Sequence, residues 1–503
     1  MSLVPTLLAL LVAAPTPLPT PLASPLPGPP ASLPKASRHV LANGLRVVLI
    51  ESRAAPWLEV RLGFRIGSAS DPAGRSGLAS LTGGLLTAGV PGRDEQAIAQ
   101  ELARLGASLD VEVEPDTTLI SGQVLTIDAA DARRFLDLVA EVALAATLPE
   151  DALERHRVLM LANVKNLVDN PTALCQAVAR AAALNGLPEG RPGFGTLTDL
   201  AAITRAEVIR WRDLALAPQH AVLIVAGSLE PDAMLAWVAE RFGGWGQATT
   251  CRRADGLLPG TCAALCVDGA CLDNPTAVPR ARRRPAAARP ERALLVAMDD
   301  PNMEQAEWRW ALPNPVPVMD PAWGALRLGT HVLGGEFTSR LNRTLREQEG
   351  LTYGAYLSPD FGGWESGVMA ITTDATPAAL PKSLALGVGL WRGMTTDLVP
   401  VDELEAIRQT LVNGFPFRFE TVSHTLDQYT FVELADIPYA YLERYREALA
   451  DIGPEAVRAA MQAAASAEPP VLVVVGPAAL EPALAPYGPT RVVRAIDFLT
   501  HGL

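Results

Sequence analysis

Two related lobes of mixed strands and helices are what this sequence predicts, from its length, its hydrophobic periodicity and a repeat at a fixed offset. At 503 residues the chain exceeds what one hydrophobic core usually supports, so two or more domains are expected. Short apolar runs of strand character, such as Leu45 to Ile50 and Leu294 to Met298, alternate with longer amphipathic stretches over 149–168 and 378–391. The order of elements occurs twice. Asp71-Pro72 stands between a predicted strand and a predicted helix, and Asp320-Pro321 stands in the same context 249 residues later. The apolar strand Val222-Leu223-Ile224-Val225-Ala226-Gly227 has its counterpart in Val471-Leu472-Val473-Val474-Val475-Gly476, again 249 residues on.

Composition narrows the function classes. With 49% hydrophobic and 19% charged residues the chain is far from the disordered range. A net charge of -13 argues against general binding to phosphate backbones, which needs concentrated Lys and Arg, so no nucleic-acid partner is expected. Leu3 to Ala14 is an apolar run of signal-peptide length, short of the roughly 20 residues a spanning helix needs. It points to export to the periplasm or cell envelope, although no Lys or Arg precedes Lys35 to supply the usual positive region. The segment from Pro15 to Pro34 holds nine prolines and is expected to be an extended tether, following a cleavage site or spacing an anchor. A membrane contact is expected only if the N-terminal segment stays as that anchor.

The expected division is therefore a signal-like segment and tether over residues 1–35, a first lobe over 36–247, a Cys- and Arg-containing linker over 248–290, and a second lobe over 291–503. The linker ends in Arg280-Ala281-Arg282-Arg283-Arg284-Pro285, read as a solvated basic run, with a docking or processing site as the other reading. Cys251, Cys262, Cys266 and Cys271 fall inside it. In an exported chain two disulfides are the natural reading, because a linker without its own core gains from cross-links. A four-thiolate metal site is the other, but spacings of ten, three and four intervening residues do not match the paired two-residue spacing of zinc ribbons. Cys175, on a predicted helix, reads as an inert core thiol.

Three segments carry a resemblance. The stretch Arg61 to Val90, with Gly74-Arg75-Ser76-Gly77-Leu78-Ala79 leading into a helix, resembles the region of the insulinase and pitrilysin zinc peptidases that bears their inverted motif H-x-x-E-H. There the two His project from one helix face to hold zinc and the Glu activates the bound water. Here the five positions read Ser80-Leu81-Thr82-Gly83-Gly84, and none of the six histidines stands in such spacing. The second segment runs Glu154-Arg155-His156-Arg157 to Val164, then Asp169-Asn170-Pro171, and places Asn163 where the family's third ligand, a glutamate, would stand. The third, Gly334-Gly335-Glu336-Phe337 through Arg346 to Tyr353, resembles nearly residue for residue the segment bearing the family's arginine and tyrosine, seven apart. In the family those donors hold substrate carbonyls and help stabilise the oxyanion.

The resemblance covers residues 36–247 and 290–490 and implies an α+β fold: two homologous lobes, each a duplicated α/β roll with a mostly antiparallel sheet flanked by helices. It also implies a division of labour. Some members place zinc in one subunit and the arginine–tyrosine pair in another. Ser80, Gly83, Gly84 and Asn163 then mark a degenerate zinc motif with no metal and no catalytic residue, while Arg346 and Tyr353 mark substrate binding. The expectation is a non-catalytic subunit that grips extended peptide, with zinc held by a partner homologue carrying H-x-x-E-H. A stand-alone peptide-binding or scaffold protein, like the core subunits of respiratory complexes, is the other reading.

Overall fold

The computed structural model describes residues 34–53, 55–246, 265–267, 270–272, 292–314, 316, 318–359, 367–467 and 469–503. The fold is α+β and two-lobed, with one six-stranded mixed sheet in each half. The first sheet comprises β1 (Ala36–Val40), β2 (Arg46–Glu51), β3 (Trp57–Phe64), β4 (Ser108–Val113), β5 (Thr118–Leu125) and β6 (Ala221–Gly227), in the order β1-β2-β6-β3-β5-β4. The second comprises β7 (Ala293–Met298), β8 (Ala306–Pro313), β9 (Tyr356–Pro359), β10 (Val368–Ala375), β11 (Val471–Pro477) and β12 (Thr490–Arg494), in the order β9-β10-β8-β11-β7-β12.

Five strands of one sheet map onto five of the other in the same spatial order, so the duplication relates the two halves to each other. Register makes the match residue-specific: Glu59 pairs with Ala226 as Glu307 pairs with Val475, and Arg61 with Ile224 as Arg309 with Val473. The sixth strand differs. β1 precedes and pairs antiparallel with β2, whereas β12 follows β11 and runs parallel to β7. Antiparallel pairings predominate in both sheets.

The central strands are apolar on both faces because both faces are covered. In β7, Leu294 and Val296 join one core while Ala293 and Leu295 join another, and β11 divides the same way between Val471, Val473, Val475 and Leu472, Val474. One face of each sheet is covered by a helix from the opposite half. The helix Pro171–Ala183 lies over β8 and β11, with Leu174, Cys175 and Val178 fully buried. The helix Val422–Leu434 lies over β3 and β6, packing Leu426, Tyr429 and Leu434 on Val48, Ile50, Val222 and Ile224. A β-carbon at Gly63 would sit 2.6 Å from Leu434 Cδ1, so a larger residue there would have to displace that side chain.

Each exchanged helix is pinned at its N-terminal end by a hydroxyl on a sheet glutamate. Ser423 Oγ donates to both carboxylate oxygens of Glu59 at 2.7 Å, and Thr172 Oγ1 donates to Glu307 Oε1 at 2.8 Å. Trp57 Nε1 also donates to Glu59, at 2.8 Å, so this 3%-exposed carboxylate is satisfied on both oxygens.

Cys175 is the buried core thiol expected of it; burial pushes its pKa up to about 12. Cys266 and Cys271 are direct partners in a short antiparallel hairpin, Leu265–Val267 with Ala270–Leu272. Cys251 and Cys262 lie outside the described residues.

Candidate functional site

The helix Leu78–Leu85, whose sequence resembles the zinc-helix region of the insulinase-type peptidases, has its start fixed by a buried carboxylate. Asp71, 3% exposed, accepts 2.9 Å hydrogen bonds from the backbone N–H groups of Gly77 and Ala79. Burial nevertheless pushes its pKa up to about 8, the donors only partly opposing it. Gly77 has φ of 92°, and a β-carbon there would lie 2.8 Å from the Gly195 Cα, so backbone conformation and packing both demand glycine.

The four positions that the resemblance aligns with zinc ligands and base have other occupations here. Ser80 Oγ donates to the Gly193 carbonyl at 2.7 Å, which commits the hydroxyl to the backbone. A β-carbon at Gly83 would be 2.7 Å from Val113 Cγ2, and one at Gly84 would be 3.0 Å from His156 Nδ1. The valine closes in from β4 and the imidazole from the helix Glu150–Asn166, which packs on the 78–85 helix. Asn163, two turns beyond His156, is exposed. A zinc site needs three or four committed N, O or S ligands around one point. A hydroxyl bonded to a carbonyl, two absent side chains and an exposed amide do not supply them, and the space is filled. Zinc therefore does not fit these residues. Among the described residues no group of three or more His, Cys, Asp or Glu could hold a metal ion.

His156 and Val113 are what sequence reasoning missed. His156 stands in the quoted helix frame, but its placement over Gly84 depends on how two helices pack, which spacing does not reveal. Its Nε2 lies 3.7 Å from Glu95 Oε1.

The arginine–tyrosine segment is differently built. Arg346 sits in a widened π-helical stretch, Asn342–Gln348, a rare geometry that recurs at functional sites. Asn342, fully buried, accepts a 3.0 Å hydrogen bond from the Ala355 N–H and donates to the Glu336 carbonyl at 3.2 Å, tying the stretch to the loop that follows. In that loop Thr352 donates to Asp374, and Thr373 of β10 donates to the Gly354 carbonyl at 2.9 Å. Tyr353, between these anchors, is 89% exposed. The Arg346 guanidinium stacks on the Phe337 ring, Cζ 4.1 Å from the centroid, and among the described residues no carboxylate pairs with it. Both side chains are therefore donors held on fixed backbone without an acceptor among the described residues. No hydrogen bond or ion pair joins either to Ser80, Gly83, Gly84 or Asn163 among the described residues.

Residues 46–197 match the family model described as Insulinase (Peptidase family M16), and residues 202–411 match that of the Peptidase M16 inactive domain. The chain belongs to the insulinase family of peptidases. It aligns at 25% identity over 399 residues, 79% of this chain and 84% of the other, with an uncharacterized zinc protease of Mycobacterium tuberculosis. Over 197 residues, 39% of this chain and 41% of the other, it is 26% identical to cytochrome b-c1 complex subunit 1 of Caenorhabditis elegans mitochondria. Among solved structures a peptidase M16 inactive domain from Pseudomonas fluorescens superposes with a TM-score of 0.73 at 24% identity, covering 88% of this chain and 98% of that one. This insulinase-family chain thus keeps the fold, and among its described residues no His, Cys, Asp or Glu group could hold a metal ion.

Proposed function

We propose that this chain is a catalytically inactive insulinase-family subunit that binds extended peptide through Arg346 and Tyr353 and completes the substrate chamber of a zinc-bearing homologue carrying H-x-x-E-H. The observation that supports this reading is the contrast between two segments: the positions aligned with the zinc motif are closed by Val113 and His156, while Arg346 and Tyr353 have no acid or hydrogen-bond acceptor among the described residues and sit on a firmly anchored stretch. Unpaired guanidinium and phenol donors suit main-chain carbonyls of a peptide lying along a sheet edge. Zinc and the water-activating glutamate would come from the partner. The apolar segment ahead of the Pro-rich tether supports export, so partner and substrate would be met in the periplasm or envelope.

The test is tagged co-purification from the host, then a peptidase assay with and without chelator on the recovered complex. A co-purifying H-x-x-E-H homologue, with chelator-sensitive cleavage that falls about 100-fold in Arg346→Ala/Tyr353→Phe, is the expected result. A homogeneous chain with no partner and no cleavage would instead favour the scaffold reading, which the similarity to a respiratory-complex subunit supports.

A further inference from the structure

The second half holds a group of basic side chains that no acid among the described residues neutralises. Arg327, on the helix Trp323–Thr330, is 8% exposed, and Arg418 lies half-buried in the turn Phe415–Phe419. Both guanidinium groups gather on one aromatic ring: Cζ of Arg327 is 5.4 Å and Cζ of Arg418 5.7 Å from the centroid of Tyr445. Phe415 stacks on that ring at 4.3 Å and itself lies 5.7 Å from Arg418 Cζ. Among the described residues neither arginine is ion-paired. Two buried polar atoms in this group lack any hydrogen-bond partner, Arg327 Nε and the hydroxyl of Tyr445, a residue only 3% exposed.

A buried charge is ordinarily paired, and two like charges sharing a desolvated site raise each other's cost. Aromatic faces offset part of that cost but supply no net negative charge. The field of the pair is felt by a neighbour. His331 Nδ1 lies 2.8 Å from the Arg327 carbonyl, and burial together with the two guanidinium groups holds its pKa down to about 4. The site as built carries two positive charges, an unused guanidinium N–H and an unused phenol. One carboxylate would leave half of that charge uncompensated. A phosphate, with about -1.5 to -2 charge near pH 7 and several acceptor oxygens, matches both the charge and the donors.

We propose that Arg327, Arg418 and the Tyr445 hydroxyl form a binding site for a doubly charged tetrahedral oxyanion, with inorganic phosphate as its simplest form. This site is independent of the zinc positions and of the Arg346/Tyr353 segment, so it stands or falls apart from the subunit reading.

The experiment is calorimetric titration of the full chain, in Tris-chloride free of other oxyanions, with inorganic phosphate and separately with acetate. Wild type should bind phosphate saturably at one site and acetate at least about ten-fold more weakly. Arg418→Gln should weaken phosphate about ten-fold or more, and Arg343→Gln, at an exposed arginine outside the group, should leave it unchanged. Arg418→Lys, which keeps the charge but loses the planar fork, gives the same readout if the glutamine variant does not fold. Absence of phosphate binding to wild type, equal binding to the Arg418 variants, or acetate binding as tightly as phosphate would each overturn the proposal.

Discussion

Gly83 and Gly84 are neighbours on one helix, yet their surroundings predict opposite responses to a methyl group. At both sites alanine regains about 1 kcal/mol of helix propensity. At Gly83 the new carbon would meet Val113 Cγ2 at 2.7 Å, a stiff side chain on a sheet strand, and overpacking of about 1–3 kcal/mol should outweigh the gain. At Gly84 the neighbour is the His156 ring, about a quarter exposed and able to turn aside. Urea denaturation should therefore find Gly83→Ala less stable and Gly84→Ala equal to or more stable than wild type; a stabilised Gly83→Ala would sink this account. By the same packing, Ser80→His/Gly83→Glu/Gly84→His should bind no stoichiometric zinc by elemental analysis. Asp71 and His331 contribute pH dependences of opposite sign. Asp71 ionises near 3.8 when unfolded but at about 8 when folded, so the native chain carries the extra proton between these values and stability falls as pH rises. His331 ionises near 6.5 unfolded and at about 4 folded; there the unfolded chain carries the extra proton and stability rises with pH. The two oppose each other up to about pH 6.5, above which, of these two, only Asp71 contributes. Melting temperature in phosphate-free buffer should decline from about pH 6.5 to 8, and Asp71→Asn should flatten that limb.

At the level of elements, the two exchanged helices are held by equivalent but unequal hydroxyls. Ser423 serves both oxygens of a deeply buried glutamate, whereas Thr172 serves one oxygen of Glu307, which is half-buried and whose pKa burial already pushes up. Removing a donor from a buried carboxylate costs about 1–3 kcal/mol. Ser423→Ala should fall in that range in chemical denaturation and exceed Thr172→Val; the reverse order would contradict the pinning described. The anchor of the Arg346 stretch offers a functional counterpart: Asn342→Ala should loosen the loop bearing Tyr353 and raise its amide exchange, while leaving the sheet cores protected. What the sequence made legible here was uneven. Strands β6 and β11 read directly as apolar runs because both their faces are buried. That Ser80, Gly83 and Gly84 are not zinc ligands was legible one by one, since each is a residue type. That a valine and a histidine fill the space was not, because it follows from packing between segments 30 and 72 residues away along the chain.

At the level of the whole molecule, the offset of 249 residues was the most informative feature of the sequence, and the matching strand orders of the two sheets bear it out. The amphipathic pattern of 171–183 or 422–434 announces a buried face without saying which sheet it meets, so the exchange of helices was not readable in advance. That exchange has a consequence for ancestry and assembly. Reciprocal lending of one helix, with hydroxyl and glutamate in equivalent places, is the arrangement a symmetric pair of identical chains would make by swapping an element. Joined end to end, such a pair keeps its mutual embrace, and the connection fixes the ratio of halves rather than holding them together. Polypeptides 34–246 and 292–503 made separately should each aggregate, having lost the helix that covers an apolar sheet face. Expressed together, they should co-purify as a soluble one-to-one complex.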